Sequence, residues 1–288
     1  MRLGITGASG FIGRRTAELA AARGWEVVDF SRHPQDGRTR RFVPGEPADV
    51  DGLDAVLHLA GEPILGRWTP DNRRRIMDSR VLGTRSVVEG IARAARPPRV
   101  LVSGSAVGFY GDTGDREVDE NSPPGHGFLA EVCRAWEAEA GRAREARVVL
   151  LRTGFVLGRG GGAMKLILPV FRCGLGGRLG SGRQWMSCIH VDDVAGLALW
   201  AVEREIIRGP LNAVMPSPVT NAGFTRTLAR AVHRPALLPA PAFALRLVLG
   251  RMAALLLESS RVRPAVAETR GYRYAFGDVA AAADEVAR

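Results

Sequence analysis

The sequence predicts an α/β protein: a Rossmann-type, doubly wound parallel sheet with a smaller, mostly helical C-terminal substrate lobe. Three observations carry this expectation. Short β-branched runs alternate with helical stretches over the first half of the chain, as a parallel sheet covered on both faces requires. A glycine-spaced turn, Gly7-x-x-Gly10-x-x-Gly13, follows the first apolar run directly and opens a helix. After Gly154 the texture becomes glycine-rich and then proline-rich, which marks long loops and a separate lobe.

In order, Leu3–Thr6 reads as a strand, 11–23 as a helix and Glu26–Phe30 as a second strand. The run 54–59 is a further strand, followed by a polar helix over 71–95. The segments 99–103 and 147–152 are two more strands, with a helix over 128–145 between them, and 192–204 is another helix. Residues 1–157 with 188–213 are expected to form the cofactor domain. Residues 158–187 with 214–288 are expected to form the substrate lobe, with the cleft between them. The apolar stretch 237–257 is interrupted by Pro239, Pro241, Arg246, Gly250 and Arg251. It fails as a membrane span and reads as a buried helix of the lobe, with a surface membrane helix as the alternative.

Composition narrows the function classes. The 288 residues carry a net charge of +10, yet Lys165 is the only lysine and the arginines are scattered. Neither a basic stripe nor interleaved aromatics is present, so no nucleic-acid partner is expected. The surplus is expected to favour anionic substrates by steering. Three cysteines without a Cys-x-x-Cys pair fit neither zinc nor a disulfide framework. The first strand begins at Arg2, leaving no room for a signal peptide, and a cytoplasmic location is expected. The chain is expected to work as a monomer or homodimer on a small-molecule substrate.

The glycine turn predicts a dinucleotide site. Glycine permits the tight turn and a close backbone approach to a pyrophosphate, and the helix N-terminus supplies partial positive charge. Gly7, Ser9, Gly10, Phe11, Ile12 and Gly13 are therefore cofactor-binding candidates. The second strand ends Val28-Asp29-Phe30-Ser31-Arg32. Asp29 lies inside the strand, whereas Ser31 and Arg32 stand at its exit, where a hydroxyl and a guanidinium suit a 2′-phosphate. NADP(H) is expected over NAD(H).

With these pieces the chain resembles the extended short-chain dehydrogenase/reductase superfamily, and within it the epimerase family protein branch (YfcH-like). The resemblance rests on 6–13, His58-Leu59-Ala60-Gly61-Glu62-Pro63-Ile64, Asp78-Ser79-Arg80 and 152–158. It continues through Gly180-Ser181-Gly182-Arg183-Gln184, Ile189-His190-Val191-Asp192-Asp193 and Thr220-Asn221-Ala222. It implies that Leu59, Ala60 and Gly61 pass beside the cofactor, that Arg80 reaches it, with Arg75 a second candidate, and that Val156 lies near the nicotinamide.

Typical members of the superfamily use a Tyr-x-x-x-Lys pair, in which lysine lowers the tyrosine pKa for proton exchange. The fourth residues after Tyr110, Tyr272 and Tyr274 are Gly114, Phe276 and Asp278. The pair is therefore absent. Phe128 or Leu129 stands at the tyrosine position, and Val132 or Cys133 at the lysine position. Ser105, Tyr110 and Glu131 remain as catalytic candidates, Glu131 on condition that it is buried. Asp192 and Asp193, at a helix start, read as capping and dipole partners rather than metal ligands, and no metal is expected.

Overall fold

The computed structural model describes residues 1–34 and 39–288. The first half runs β1 (Arg2–Thr6), α1 (Phe11–Ala22), β2 (Glu26–Ser31), β3 (Arg40–Arg41), β4 (Ala55–His58), α2 (Pro70–Arg93), β5 (Val100–Ala106), α3 (Phe128–Ala140) and β6 (Arg147–Thr153). Then come β7 (Phe155–Leu157), α4 (Met164–Arg172), β8 (Trp185–Met186), β9 (Cys188–His190), α5 (Val191–Glu203) and β10 (Gly209–Ala213). The chain closes with β11 (Val219–Thr220), α6 (Asn221–Ala231), α7 (Ala242–Leu249), α8 (Ala254–Leu257), α9 (Ala265–Thr269) and α10 (Val279–Ala287).

Among the described residues seven strands form one sheet in the order β10-β6-β5-β4-β1-β2-β3, and every pairing in it is parallel. Alternation of side chains divides the strand residues between two cores. Leu3, Ile5, Ala55, Leu57, Val102 and Leu151 pack with Ala20, Val194 and Leu197 of α1 and α5. Val28, Phe30, Val56 and Leu101 face the other way, onto Val87, Val88 and Ile91 of α2. Both faces are covered, so the strands read as apolar runs rather than alternating ones. The strand order reverses between β1 and β4, and the crevice beyond their C-terminal ends is where such sheets bind ligands.

A third core gathers Met164 and Phe171 of α4, Phe224 and Leu228 of α6, and Ala282, Ala283 and Val286 of α10. Helix α4 lies inside the glycine-rich stretch, whose flanking turns disguise its nine residues in the sequence. Helix α3 stops at Ala140, short of the expected 145.

The reading of 237–257 as a buried helix is overturned. Pro239 and Pro241 delay the helix to Ala242, and Gly250 ends α7 with φ +57°. Proline lacks the N–H, and only glycine takes that φ without strain. The eight-residue helix that remains has no fully buried side chain. Among the described residues no helix is long and apolar enough to cross a membrane.

Candidate functional site

The glycine turn sits at the sheet crevice. Gly7 takes φ +76°, and a Cβ there would stand 3.0 Å from the Ala60 amide nitrogen. Gly10 N–H donates to Gly7 O at 2.9 Å, closing the turn. A Cβ at Gly13 would be driven into the Gly7 carbonyl, so glycine alone lets α1 pack this close to the turn. The N-cap of α1 is Gly10, without a side-chain cap and without an acid in the first turn. The N–H groups of Phe11, Ile12 and Gly13 thus lack an intrahelical partner. Ser9 and Gly10 are exposed beside them. This is a cradle for an anion, and the residues fit a pyrophosphate. The loop 158–162 folds over the Phe11 ring: Cβ atoms at Gly158 or Gly161 would collide with it. Phe11 therefore ties the cofactor turn to β7, where Val156 is half-buried.

At the next edge, β2 ends on Ser31, which pairs in register with Arg41 of β3. Ser31 Oγ accepts from His33 N–H at 3.2 Å, and Arg32 is exposed at the exit. Asp29 lies within β2, paired with Ile5, as the sequence suggests.

At the end of β4, Thr6 Oγ1 accepts from the N–H groups of both Leu59 and Ala60 at 3.2 Å. Its own proton is then free to go to His58 Nδ1, 2.7 Å away. His58 is thereby fixed as the tautomer with Nε2 protonated, and among the described residues Nε2 has no hydrogen-bond partner. Burial and the nearby Arg80 charge push the His58 pKa down to about 4. Sequence reading missed this pair; its signal was a threonine and a histidine at the ends of two adjacent strands.

Because the folded ring refuses the proton that the unfolded chain accepts near the usual value of 6.5, stability is expected to fall as pH drops from 6.5 toward 4. The loss is up to about 3 kcal/mol. A His58→Asn variant, which keeps an acceptor for Thr6 but does not titrate, is expected to lose less in urea melts over that range. An unchanged pH profile in the variant would assign the loss elsewhere.

Arg80 leans back over Gly61. Its Nη1 donates to Glu62 O at 3.0 Å and Ile76 O at 3.1 Å, and its Cζ lies 5.1 Å from the Trp136 ring centroid. Arg75 is more exposed and donates to Asn72 Oδ1. Leu59, Ala60, Gly61 and Arg80 thus meet at one rim, opposite the glycine turn.

The expected catalytic residues are placed less simply. Leu129 and Cys133, one helical turn apart on α3, both approach Gly108 beyond the end of β5. Burial pushes the Cys133 thiol up to about 11, so it is not a ready nucleophile or base. Glu131 lies on the opposite face of α3 and is exposed. The burial on which its candidacy depended is absent.

Ser105 and Tyr110 belong to one buried network. Ser105 Oγ donates to Glu137 Oε1 at 2.6 Å, and Glu137 takes a two-point ion pair from Arg152 Nε and Nη2, each at 2.8 Å. Arg152 Nη1 donates to the Tyr110 hydroxyl at 2.9 Å, which donates in turn to Asn212 Oδ1 at 2.8 Å. The guanidinium lies 3.5 Å from the Phe109 ring centroid. Tyr110 is 1% exposed, and burial pushes its pKa up to about 12.

The two aspartates after His190 divide their work. His190 caps α5 by accepting Asp192 N–H on Nδ1, and Asp192 pairs with Arg15 at 2.7 Å. Asp193 accepts the N–H groups of Ala275 at 2.7 Å and Phe276 at 2.9 Å. It fastens the C-terminal segment to α5, a role the capping reading does not include. In the 180–184 loop Arg183 is exposed, while Gln184 Nε2 holds Leu179 O and Leu256 O, both at 3.0 Å. Among the described residues no group of His, Cys, Asp and Glu is arranged to hold a metal.

The fold and this rim define a dinucleotide-binding α/β protein with an appended lobe. The chain belongs to the NAD dependent epimerase/dehydratase family, whose model matches residues 3–210. Residues 240–286 match a domain of unknown function, DUF1731. An Arabidopsis thaliana relative, "Epimerase family protein SDR39U1 homolog, chloroplastic", is 39% identical over 96% of this chain and 84% of its own. The crystal structure of human epimerase family protein SDR39U1 with NADPH superposes with a TM-score of 0.91 at 38% identity, covering 100% of this chain and 99% of that one. A nucleoside-diphosphate sugar epimerase from Corynebacterium glutamicum matches with a TM-score of 0.83 at 34% identity, over 100% of this chain but 58% of that one.

Proposed function

We propose that this chain binds NADP(H) and acts, as an epimerase- or reductase-like protein, on a small polar or nucleotide-linked substrate. The observation that carries cofactor binding is the uncapped, acid-free start of α1 behind Gly7, Gly10 and Gly13. Gly7 through Gly13 would hold the pyrophosphate by backbone N–H groups, Ser31 and Arg32 the 2′-phosphate, and Leu59, Ala60, Gly61 and Arg80 the adenosine side. Val156 would border the nicotinamide. The related human protein, solved with NADPH, supports the phosphorylated form, and the sugar epimerase relative supports a nucleotide-linked substrate. NADP(H), when bound, supplies hydride transfer.

The chain's own contribution is binding, orientation and charge. Arg183, exposed on the loop of the second lobe, would meet an anionic substrate group. Ser105 and Tyr110 take a positioning role in this reading, because their protons are committed to Glu137 and Asn212.

A second reading, a redox sensor that binds NADP(H) without turning it over, is favoured by that same locked network. Incubation with NADPH and a panel of sugar nucleotides and carbonyl compounds separates the two. Cofactor oxidation or a new epimer supports the first; tight NADPH binding with no product across the panel supports the sensor.

Arg32→Ala tests the cofactor assignment. It is expected to weaken NADPH by about 10- to 100-fold, the value of one or two charge-assisted hydrogen bonds, while NADH affinity stays nearly constant. Calorimetric titration with both cofactors reads it, and equal losses would reject the 2′-phosphate role.

A further inference from the structure

The second lobe carries a surface that the cofactor site does not use. Residues 175–180 and 236–242 run side by side: Ala240 N–H donates to Arg178 O at 2.9 Å, Gly180 N–H to Ala240 O at 2.8 Å, and Leu238 N–H to Gly176 O at 3.2 Å. Helix α7 follows at once, so this pairing presents Leu237 close to the start of the helix. Leu237 is 78% exposed, Phe243 73% and Leu247 83%. Phe243 and Leu247 are four residues apart and share a helix face. Clustered exposure of this kind, unlike scattered single residues, marks an interaction surface.

Charge decides what fits it. Residues 146–191 and 206–257 contain no aspartate or glutamate, and these segments build most of the lobe. Arg246, on α7 itself, and Arg251, just past its end, are exposed beside the apolar side chains. A second copy docking face to face would set arginines against arginines with no acid in the patch to offset them. An anionic bilayer surface matches both parts. Its phosphates pair with guanidinium groups, while leucine and phenylalanine enter the boundary between headgroups and acyl chains. We propose that the α7 face docks this lobe on anionic lipid surfaces.

Co-sedimentation of the full chain with vesicles tests this, using phosphatidylcholine alone and phosphatidylcholine containing about one third phosphatidylglycerol. Binding is expected with the anionic vesicles and to weaken as salt rises. Arg246→Gln and Arg251→Gln are each expected to lower partitioning about fivefold at low salt. A Phe243→Ser/Leu247→Ser variant is expected to lower it at least about tenfold, through lost apolar burial. NADPH affinity should match the parent in every variant, which reports an intact fold and keeps this test separate from the cofactor reading. Equal partitioning to both vesicle types, or no binding to either, would overturn the proposal. So would a dimer in solution that Phe243→Ser/Leu247→Ser dissolves, or preferential capture of an acidic peptide by this face.

Discussion

Gly13→Ala is expected to abolish measurable NADPH binding, a loss of at least about 100-fold. The methyl group cannot be accommodated by a side-chain shift, because what it meets is the backbone of the turn: the Gly7 carbonyl and the Cα of Ala8. Helix α1 must move away from the turn, and the N–H groups of Phe11 and Ile12 move with it. Backbone donors at a helix start act only at hydrogen-bond distance, so a displacement of about 1 Å removes them as ligands. The same shift opens a gap against the core on α1, costing roughly 1–3 kcal/mol of stability. Fluorescence titration with NADPH, beside a urea melt, reads both effects. Gly10→Ala serves as the contrast, since a Cβ there meets only the Gly7 oxygen at 3.1 Å. A smaller loss is expected for it, and equal losses would count against a steric origin.

The second large effect concerns Glu137 and Arg152, which are 9% and 3% exposed. Arg152→Leu leaves a buried carboxylate with only Ser105 as a donor, and Glu137→Leu leaves a buried guanidinium facing Tyr110 and Phe109. Each single change is expected to destabilise the fold by about 3–5 kcal/mol, because the remaining charge loses its partner but not its burial. The double variant Glu137→Leu/Arg152→Leu is expected to be no worse than either single one. Chemical unfolding of the three variants closes this double-mutant cycle. Additive losses would show that the pair does not act as a unit. The cycle also bears on function: if NADPH affinity survives in the double variant, the network supports the sheet rather than the cofactor.

The glycine turn was fully legible in the sequence, because each constraint is local: a positive φ at Gly7, a turn closed over three residues, a helix start with no cap. The five central strands of the parallel sheet were legible for a similar reason, since strands buried on both faces must be apolar runs; the edge strands β3 and β10 were not, because Arg40-Arg41 and 209–213 are not such runs. The exit of β2 at Ser31 and Arg32 followed from strand length alone. What escaped was set by distant neighbours. The burial of Ser105 depends on Glu137 and Arg152, and that of Tyr110 on Asn212, from another strand of the sheet. Glu131 is a different case: the helical spacing of Leu129, Cys133 and Trp136 marks the side of α3 that faces β5, and Glu131 falls off that stripe into solvent. The segment 237–257 misled because apolar content was read as burial, whereas Pro239, Pro241 and Gly250 cut it into pieces too short to hide their side chains.

By itself, then, the sequence determined the cradle, the strands that carry it and the absence of a tyrosine–lysine pair, all matters of residue type and spacing along a few turns. Only the tertiary structure decided that Ser105 and Tyr110 are bound into a buried ion-pair network and that α7 stands exposed with its apolar side chains outward. Those outcomes depend on which groups meet across long separations, and pairing in a low-dielectric interior commits a side chain's protons in a way that no local pattern records.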